Sequence, residues 1–291
     1  MSPTVAPPEI SIVIPVYNEE ESLPLLAAEI HGAMRPLGRP YEVIYVDDGS
    51  TDGSPRVLQE LAREDPATRV IRQRRNSGQT AALDAGFRFA RGAIVVTLDA
   101  DLQNDPADIP RLLQAMDEGY DVVSGVRTNR RDTWVRKASS RIANRVRNRL
   151  TRDNVTDVGC TLRACRAESL RGVPMLTGMH RFLPTLLAMA GARKTEIPVN
   201  HRPRLHGQPK YNISNRLWRA LADLFAVRWM QKRWIDRRLS EEIDAWNTNS
   251  SGTPGPPSAS SARRSSSAAS SSSGSPPSGT SGASSRGPSG T

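Results

Sequence analysis

Short β-branched runs alternate with helical segments through the first 126 residues, and this alternation constrains the fold more than any other feature. The runs are mostly apolar, as strands buried within a sheet are. The segments between them carry apolar side chains at helical spacing. Repeated strand–helix–strand units favour an α/β fold with a mainly parallel sheet flanked by helices. The predicted strands are residues 10–16, 41–46, 69–73, 93–98 and 121–126.

Polar side chains follow several of these strands. Asp47 and Asp48 close the second strand, Asn76 follows the third, and Asp99 follows the fourth. In a parallel sheet with right-handed crossovers, the loops after the strands gather at one edge, where open α/β sheets bind ligands. We therefore expect these side chains to surround one cleft. Ser77, just before the third predicted helix, is a candidate N-cap.

The fourth strand ends in two aspartates spaced i and i+2. An extended chain places residues i, i+2 and i+4 on one face, so Asp99, Asp101 and Gln103 can converge on one cation. Ligands that are all oxygen suit Mg²⁺ or Mn²⁺, which keep coordination positions open for phosphates. The alternative interpretation is a polar loop after a strand, because Asp-x-Asp alone is a common pattern.

The C-terminal stretch has the composition of a disordered tail. Residues 247–291 are dominated by Ser, Gly, Pro, Ala and Thr, and they include no acidic and no large apolar side chain. Such a stretch cannot bury enough apolar surface to offset the entropy of ordering. We therefore expect the folded part of the chain to end before it.

Three further observations concern the compartment. No apolar run approaches the roughly 20 residues that cross a bilayer, and residues 1–8 lack the pattern of a signal peptide. The two cysteines, Cys160 and Cys165, fit neither a disulfide framework nor a zinc site. These features predict a cytoplasmic protein.

Most of the net charge of +10 comes from one segment. Residues 127–152 hold ten arginines and lysines and one acid, Asp132. A cluster of one sign indicates an anionic partner such as a phosphate, an anionic lipid or a nucleic acid. Nucleic acid is disfavoured because Trp134 is the only aromatic residue of the cluster, too few for base stacking. The alternative is a solvated helix with nonspecific affinity for anions.

Residues 213–234 have the spacing of an amphipathic helix, with Trp218, Trp229 and Trp234 on or near it. Tryptophan is favoured at membrane interfaces, although an amphipathic helix more often covers a core. Together with the basic cluster, this helix predicts peripheral attachment to the anionic inner face of the cell membrane.

Six segments, in this order, carry a family resemblance: SIVIPVYNEEESL, VDDGSTDGS, NSGQTAALDAGF, TLDADLQNDP, DVGCTLRACR and RLHGQPKY. Over residues 9–235 the chain resembles the family 2 glycosyltransferases of GT-A fold, and among them the polyprenyl-phosphate (dolichol-phosphate) sugar transferases. The resemblance implies a GT-A-like α/β fold and inverting transfer of one sugar from a nucleotide diphosphate sugar to polyprenyl or dolichyl phosphate. GDP-mannose or a UDP-hexose is the expected donor, and Mg²⁺ or Mn²⁺ the expected cofactor.

The resemblance also implies roles on the donor side. Asp99, Asp101 and Gln103 resemble the metal and diphosphate site. The nucleotide sugar would be bound by Pro15, Tyr17, Glu19, Asp48 and Asp99. Structural alternatives stay open, since an aspartate before glycine commonly caps a turn, and Glu19 also suits the start of a helix.

On the acceptor side, Arg204 and Lys210 resemble a phosphate-contacting loop with the pattern Arg-x-x-Gly-x-Ser-Lys-Tyr. Pro209 replaces the serine of that pattern and removes a hydroxyl and an N–H donor. From the basic cluster, Arg127 and Arg131 are further candidate contacts to the acceptor phosphate.

Asp157 falls where the family has an acidic residue near the reacting centre, and it joins Asp101 as a catalytic candidate. Two roles stay open for it. A hydroxyl acceptor needs a general base, whereas a phosphate acceptor is already largely ionised near neutral pH. In the second case Asp157 would position a ligand or basic residues.

The predicted organisation is a flexible segment at 1–8, a nucleotide-sugar-binding half at 9–126, an acceptor-side half at 127–238 and a disordered tail at 247–291. Two other functions stay open. One is a family 2 transferase that acts on a hydroxyl of a glycan or small molecule. The other is a noncatalytic basic protein that docks on membrane or nucleic acid, against which the intact Asp99 and Asp101 pair argues.

Overall fold

The computed structural model describes residues 7–128, 148–149, 151, 153–203 and 214–235, with side chains in the last range from residue 222 onward. These residues belong to one compact unit, Met1–Glu241. The predicted tail at 247–291, most of the predicted segment at 1–8 and most of the basic cluster lie outside the described residues.

A seven-stranded sheet forms the centre of the described part of the chain. Its strands are β1 (Ile10–Val16), β2 (Tyr41–Asp47), β3 (Thr68–Arg72), β4 (Ile94–Thr97), β5 (Val122–Arg127), β6 (Arg163–Arg166) and β7 (Lys194–Val199). The order across the sheet is β3-β2-β1-β4-β6-β5-β7. Strands β3, β2, β1 and β4 pair in parallel, as do β5 and β7. The prediction of a mainly parallel α/β sheet is therefore confirmed.

Strand β6 is the exception, because it runs antiparallel to both β4 and β5. The sequence pattern did not predict it, since it is four residues long and has an arginine at each end. It lies between β4 and β5, so residues far along the chain enter the middle of the sheet beside the strand that leads to Asp99.

Helices cover both faces of the sheet. They are α1 (Leu23–Met34), α2 (Ser54–Glu64), α3 (Gln79–Phe89), α4 (Ile109–Asp117), α5 (Ala167–Leu170), α6 (Leu183–Met189) and α7 (Ser214–Arg233). Short 3₁₀ turns span Arg35–Leu37, Pro106–Asp108 and Met179–Phe182. None of the helices in the described part of the chain has the length and apolar character that crossing a membrane requires.

Alternation along the strands assigns each side chain to one of the two faces. Ile12 and Ile14 of β1 pack with Leu26 and the rest of the α1, α2 and α4 core. Val13 points the other way and packs against α3. This contact is so close that a Cβ on Gly86 of α3 would lie 2.2 Å from Val13 Cγ1. The glycine therefore brings α3 down onto the sheet.

The later helices cover the other half of the sheet. Leu183 and Leu186 of α6 and Leu224 of α7 pack with Val122 of β5 and Cys165 of β6. The boundary predicted between residues 126 and 127 falls within β5, which ends at Arg127. The two predicted halves are thus joined by a strand of the common sheet.

Candidate active site

The loops after β1 and β2 are held together at the carboxyl edge of the sheet. The backbone N–H of Asn18 donates to Ser50 Oγ at 3.0 Å, and the N–H of Thr51 donates back to Asn18 Oδ1 at 2.8 Å. The N–H of Glu19 donates to Ser54 Oγ at 2.9 Å. Asn18 has a φ of 54°, a left-handed conformation that asparagine tolerates better than most residues. These hydrogen bonds fix the loop after β1, on which Tyr17 and Glu19 lie.

Asp48 holds the loop that leads into α3. Its Oδ1 accepts the N–H of Ser77 and its Oδ2 that of Gly78, each at 2.8 Å. Ser77 does not cap α3, contrary to the prediction, and its hydroxyl donates to the carbonyl of Arg75. The turn after β2 is instead capped by Asp47, whose Oδ1 accepts the N–H of Ser50 at 2.9 Å.

The predicted nucleotide contacts therefore share one edge. Pro15 is at the end of β1, Tyr17 and Glu19 follow it, and Asp48 follows the neighbouring β2. Pro15, Tyr17 and Glu19 are partly buried, and Asp48 is 3% exposed. The carboxylate of Asp48 orients backbone rather than facing open solvent.

The loop after β4 carries the predicted metal ligands. Asp101 is buried and Asp99 partly buried, and Asp99 Oδ1 accepts from Gln79 Nε2 at 2.8 Å. The N–H of Gln103 donates to Asp101 Oδ1 at 3.2 Å. Asn104 Oδ1 accepts both the N–H of Asp99 at 3.1 Å and the hydroxyl of Thr161 at 2.9 Å. Neither Gln79 nor Asn104 was predicted as a site residue. Gln79 contacts Asp99 from 20 residues earlier in the chain, and Asn104, although close to Asp99 in sequence, also contacts Thr161, 57 residues later.

The two aspartates repel each other. Burial, together with the nearby Asp101 carboxylate, raises the pKa of Asp99 to about 6. A divalent cation would relieve this repulsion, and carboxylate and amide oxygens are ligands that Mg²⁺ and Mn²⁺ accept. Among the described residues no three His, Cys, Asp or Glu side chains converge. A cation would therefore draw on Asp99, Asp101, Gln103 and oxygens from outside the chain.

Asp157 and Arg127 contact each other. Arg127 Nε donates to Asp157 Oδ2 and Nη2 donates to Oδ1, both at 2.7 Å. The N–H of Gly159 also donates to Oδ1, at 3.1 Å. A Cβ on Gly159 would lie 2.5 Å from Arg127 Nη2, so a larger residue there would displace the guanidinium from its position over the turn.

A buried arginine lies beside the two predicted acidic sites. Arg163 of β6 is 3% exposed and pairs in the sheet with Thr97, two residues before Asp99. Its Nη atoms donate to the carbonyls of His180 and Val158 at 2.8 and 3.1 Å. Burial lowers its pKa, which the negative charges of Asp157 and Asp99 partly counteract. Sequence reasoning missed this cation, although an arginine within a motif that otherwise reads as apolar was a usable signal.

Three predicted acceptor contacts, Arg131, Arg204 and Lys210, lie outside the described residues. The structure thus brings the predicted donor-side residues to one edge of the sheet. On the acceptor side it describes Arg127 and Asp157.

Comparison with known proteins agrees with this architecture. The profile described as Glycosyl transferase family 2 matches residues 11–173. An undecaprenyl-phosphate 4-deoxy-4-formamido-L-arabinose transferase of Edwardsiella ictaluri (strain 93-146) is 43% identical over 206 residues, which are 70% of this chain and 63% of that protein. The chain therefore spans less than two thirds of the length of this relative.

Solved structures of low sequence identity share the fold. A mannosyltransferase from Pyrobaculum calidifontis, in complex with GDP-Man and Mn²⁺, has a TM-score of 0.55 at 24% identity, over 79% of this chain and 67% of that one. Glucosyl-3-phosphoglycerate synthase from Mycobacterium tuberculosis has a TM-score of 0.57 at 19% identity, over 80% and 82% of the two chains. The fold is GT-A-like, and the chain belongs to glycosyl transferase family 2.

Proposed function

We propose that the protein transfers one sugar, with inversion at C1, from a nucleotide diphosphate sugar to polyprenyl phosphate. The observation that carries the proposal is the pair of repelling carboxylates, Asp99 and Asp101, on the loop after β4. This is the sheet edge where Asp48 and Glu19 also lie. The named acceptor of the Edwardsiella relative, undecaprenyl phosphate, supports the choice of acceptor.

The donor chemistry accounts for the acidic pair. Breaking the bond between the sugar C1 and the diphosphate leaves negative charge on the departing oxygens. Asp99, Asp101 and Gln103 would hold Mg²⁺ or Mn²⁺, which when bound supplies the positive charge that stabilises this leaving group. Gln79 orients Asp99, and Asn104 holds the backbone at the start of the same loop.

The acceptor chemistry accounts for the ion pair. A phosphate monoester is largely ionised at neutral pH, because its second pKa is about 6, so its attack on C1 requires no general base. The two oxygens of Asp157 accept from Arg127. Of the two roles left open for Asp157, this contact supports the positioning of a basic residue. Arg127 then acts with Arg131, Arg204 and Lys210 as a contact for the acceptor phosphate.

In this proposal the two regions of the chain bind different substrates. Residues 9–126 bind the nucleotide sugar, and residues 127–238 bind the acceptor. Family membership supports an enzyme and argues against a noncatalytic basic protein.

Helix α7 supports peripheral membrane attachment. Leu224 and Val227 on one side of it enter the core. On the other side Phe225 and Trp229 are 65% and 61% exposed, and Arg233 lies over the Trp229 ring at 5.4 Å from its centroid. Two aromatics beside basic residues fit an interface with anionic lipid. We therefore place the protein at the anionic inner face of the cell membrane, where its acceptor would be found.

A transfer assay tests the proposal. The protein is incubated with a short polyprenyl phosphate in detergent, Mg²⁺ or Mn²⁺, and labelled donors. The donor panel comprises GDP-mannose, UDP-hexoses and, because of the Edwardsiella relative, a nucleotide-linked 4-deoxy-4-formamido-L-arabinose. We expect label in the lipid product with one donor, and none when chelator is present. Transfer to a hydroxyl acceptor, or no lipid product with any donor, would overturn the acceptor assignment.

A further inference from the structure

Arg202, which follows β7, joins three parts of the molecule through its side chain. Its Nη1 donates to both oxygens of Glu29 in α1, at 2.7 and 2.8 Å. Its Nη2 lies 2.7 Å from Asp105 Oδ1. The same Asp105 oxygen accepts the N–H of Ala107 at 3.0 Å and so begins the 3₁₀ turn Pro106–Asp108. One guanidinium thus connects α1 with the end of the loop that carries the predicted metal ligands.

The backbone around Arg202 also contacts the loop that carries the predicted metal ligands. The N–H of Arg202 donates to the carbonyl of Gln103 at 2.9 Å, and His201 forms an antiparallel bridge with Asn104. The N–H of Asn200 donates to Asp108 Oδ2 at 2.6 Å. The segment is therefore attached to the loop by an isolated antiparallel bridge and these two hydrogen bonds, and the side chain of Arg202 extends this attachment to α1.

The loop needs such a restraint because its backbone is strained. Leu102, between Asp101 and Gln103, has a φ of 60° and is 1% exposed. A branched residue in the left-handed region is disfavoured, and such a conformation persists only when the surrounding structure determines it. Asn104 restrains the loop beside Asp99. Arg202 restrains its far end.

We propose that Arg202 is a positioning residue for the metal site, which clamps residues 101–105 against α1 so that Asp101 and Gln103 keep their relative placement. The part that concerns the metal rests on the proposed function. The planar fork of an arginine suits this task, since it reaches two carboxylates at once, whereas a lysine offers one ammonium centre.

The chain offers a matched control at the opposite edge of the sheet. Arg39 contacts Glu9 through Nε and Nη2 at 3.1 and 2.5 Å, and Asp117 through Nη1 at 3.0 Å. It too joins two carboxylates from separate elements, before β1 and at the end of α4. R39Q therefore removes a comparable clamp without touching the loop after β4.

Two measurements test the proposal on R202Q and R39Q. The first is hydrogen exchange of the amides of residues 99–105 in the metal-free chain. The second is Mn²⁺ affinity in the presence of GDP or UDP, followed by electron paramagnetic resonance of free Mn²⁺. We expect R202Q to exchange faster in this loop and to bind Mn²⁺ roughly 10-fold more weakly. This is the lower end of the loss caused by removing a partner of a metal ligand, because the side chain of Arg202 acts on the ligands only through Asp105. R202K should fall between R202Q and wild type, and R39Q should match wild type.

The outcomes separate this inference from the proposed function. Wild-type exchange in R202Q, or equal loosening of the loop in R39Q, would overturn the positioning role. A wild-type chain that binds no Mn²⁺ with either nucleotide would overturn the metal site itself. In that case the exchange comparison still decides whether Arg202 clamps the loop. As a second variant, E29Q should reproduce part of the R202Q effect, and the double variant E29Q/R202Q should add little to it.

Discussion

Arg127 and Asp157 form one bidentate ion pair, with Nε and Nη2 of the arginine each 2.7 Å from a carboxylate oxygen. The side chains are 16% and 10% exposed, so the pair is largely shielded from solvent. Hydrogen bonds between paired ionised groups of this geometry are stronger than those between neutral groups. A carboxylate engaged in this way is suited to holding the guanidinium rather than to taking a proton from an acceptor.

This pairing predicts the behaviour of D157N. The asparagine keeps the shape but loses the charge that orients Arg127, so we expect kcat/KM for polyprenyl phosphate to fall roughly 10- to 100-fold. The pH profile should keep its wild-type shape, because no catalytic proton is lost. R127Q should give a similar loss, and R127Q/D157N should be much less than additive. A D157N profile that loses its acidic limb would instead identify a general base.

Asp101 yields a prediction about both activity and stability. In D101N one of two neighbouring negative charges is removed, so we expect transfer to fall by roughly 100-fold or more because the leaving diphosphate loses its stabilising charge. The metal-free variant should unfold at the same Tm as wild type or a higher one, since repulsion with Asp99 is relieved. Parallel measurements of transfer rate and Tm test this. A lowered Tm would indicate that the aspartate is structural, and full transfer would remove it from the metal site.

His180 makes stability depend on pH. Burial, with the nearby charges of Arg181 and Arg163, lowers its pKa to about 3. The unfolded chain takes up this proton near pH 6.5 and the folded chain does so only near pH 3. The contribution of His180 to the free energy of unfolding is therefore fully present above about pH 6.5. It is lost as pH falls toward 3, by at most about 1.4 kcal/mol per pH unit.

Replacing the imidazole tests whether His180 makes the protein less stable as the pH falls. His180 Nδ1 lies 2.7 Å from Thr80 Oγ1, and glutamine retains a hydrogen-bonding side chain there. In H180Q the free energy of unfolding, measured by urea titration at pH 4, 5, 6 and 7, should fall less steeply with acidification than in wild type. Carboxylates contribute the same slope to both proteins. Parallel slopes would show that the histidine is not the group responsible.

The sheet was predictable where its strands are apolar and separated by amphipathic helices. Strands β1, β2, β4 and β5 meet this condition, and their bounds differ from the prediction by one or two residues at most. Strand β6 does not, because Arg163 and Arg166 flank two small residues. Arg163 is stabilised by the carbonyls of His180 and Val158, and these contacts exist only after the chain has folded.

The candidate site was also predictable only in part: its acidic residues were, and their hydrogen-bond partners were not. That acids at strand ends would meet at one edge follows from parallel topology alone, and Asp48 and Asp99 do lie there. The partners of these acids did not follow from any local pattern. Asp48 is bonded to amides about thirty residues away, and Arg202 to Glu29 across most of the folded chain. Tertiary hydrogen bonds of this kind carry no periodicity in the sequence.

Helix α7 predicts where the protein meets a membrane. F225S/W229S removes the two large exposed aromatics of this helix, and we expect it to sediment less than wild type with vesicles containing phosphatidylglycerol, since aromatic insertion and basic residues act together. F89S is the matched control, because Phe89 is 50% exposed and neighbours the exposed Arg88 at the end of α3. It should sediment like wild type. Transfer to a short acceptor in detergent should be unchanged in both variants, which separates membrane attachment from catalysis. Equal sedimentation of all three proteins, or vesicle binding that persists without anionic lipid, would show that α7 is not the attachment surface.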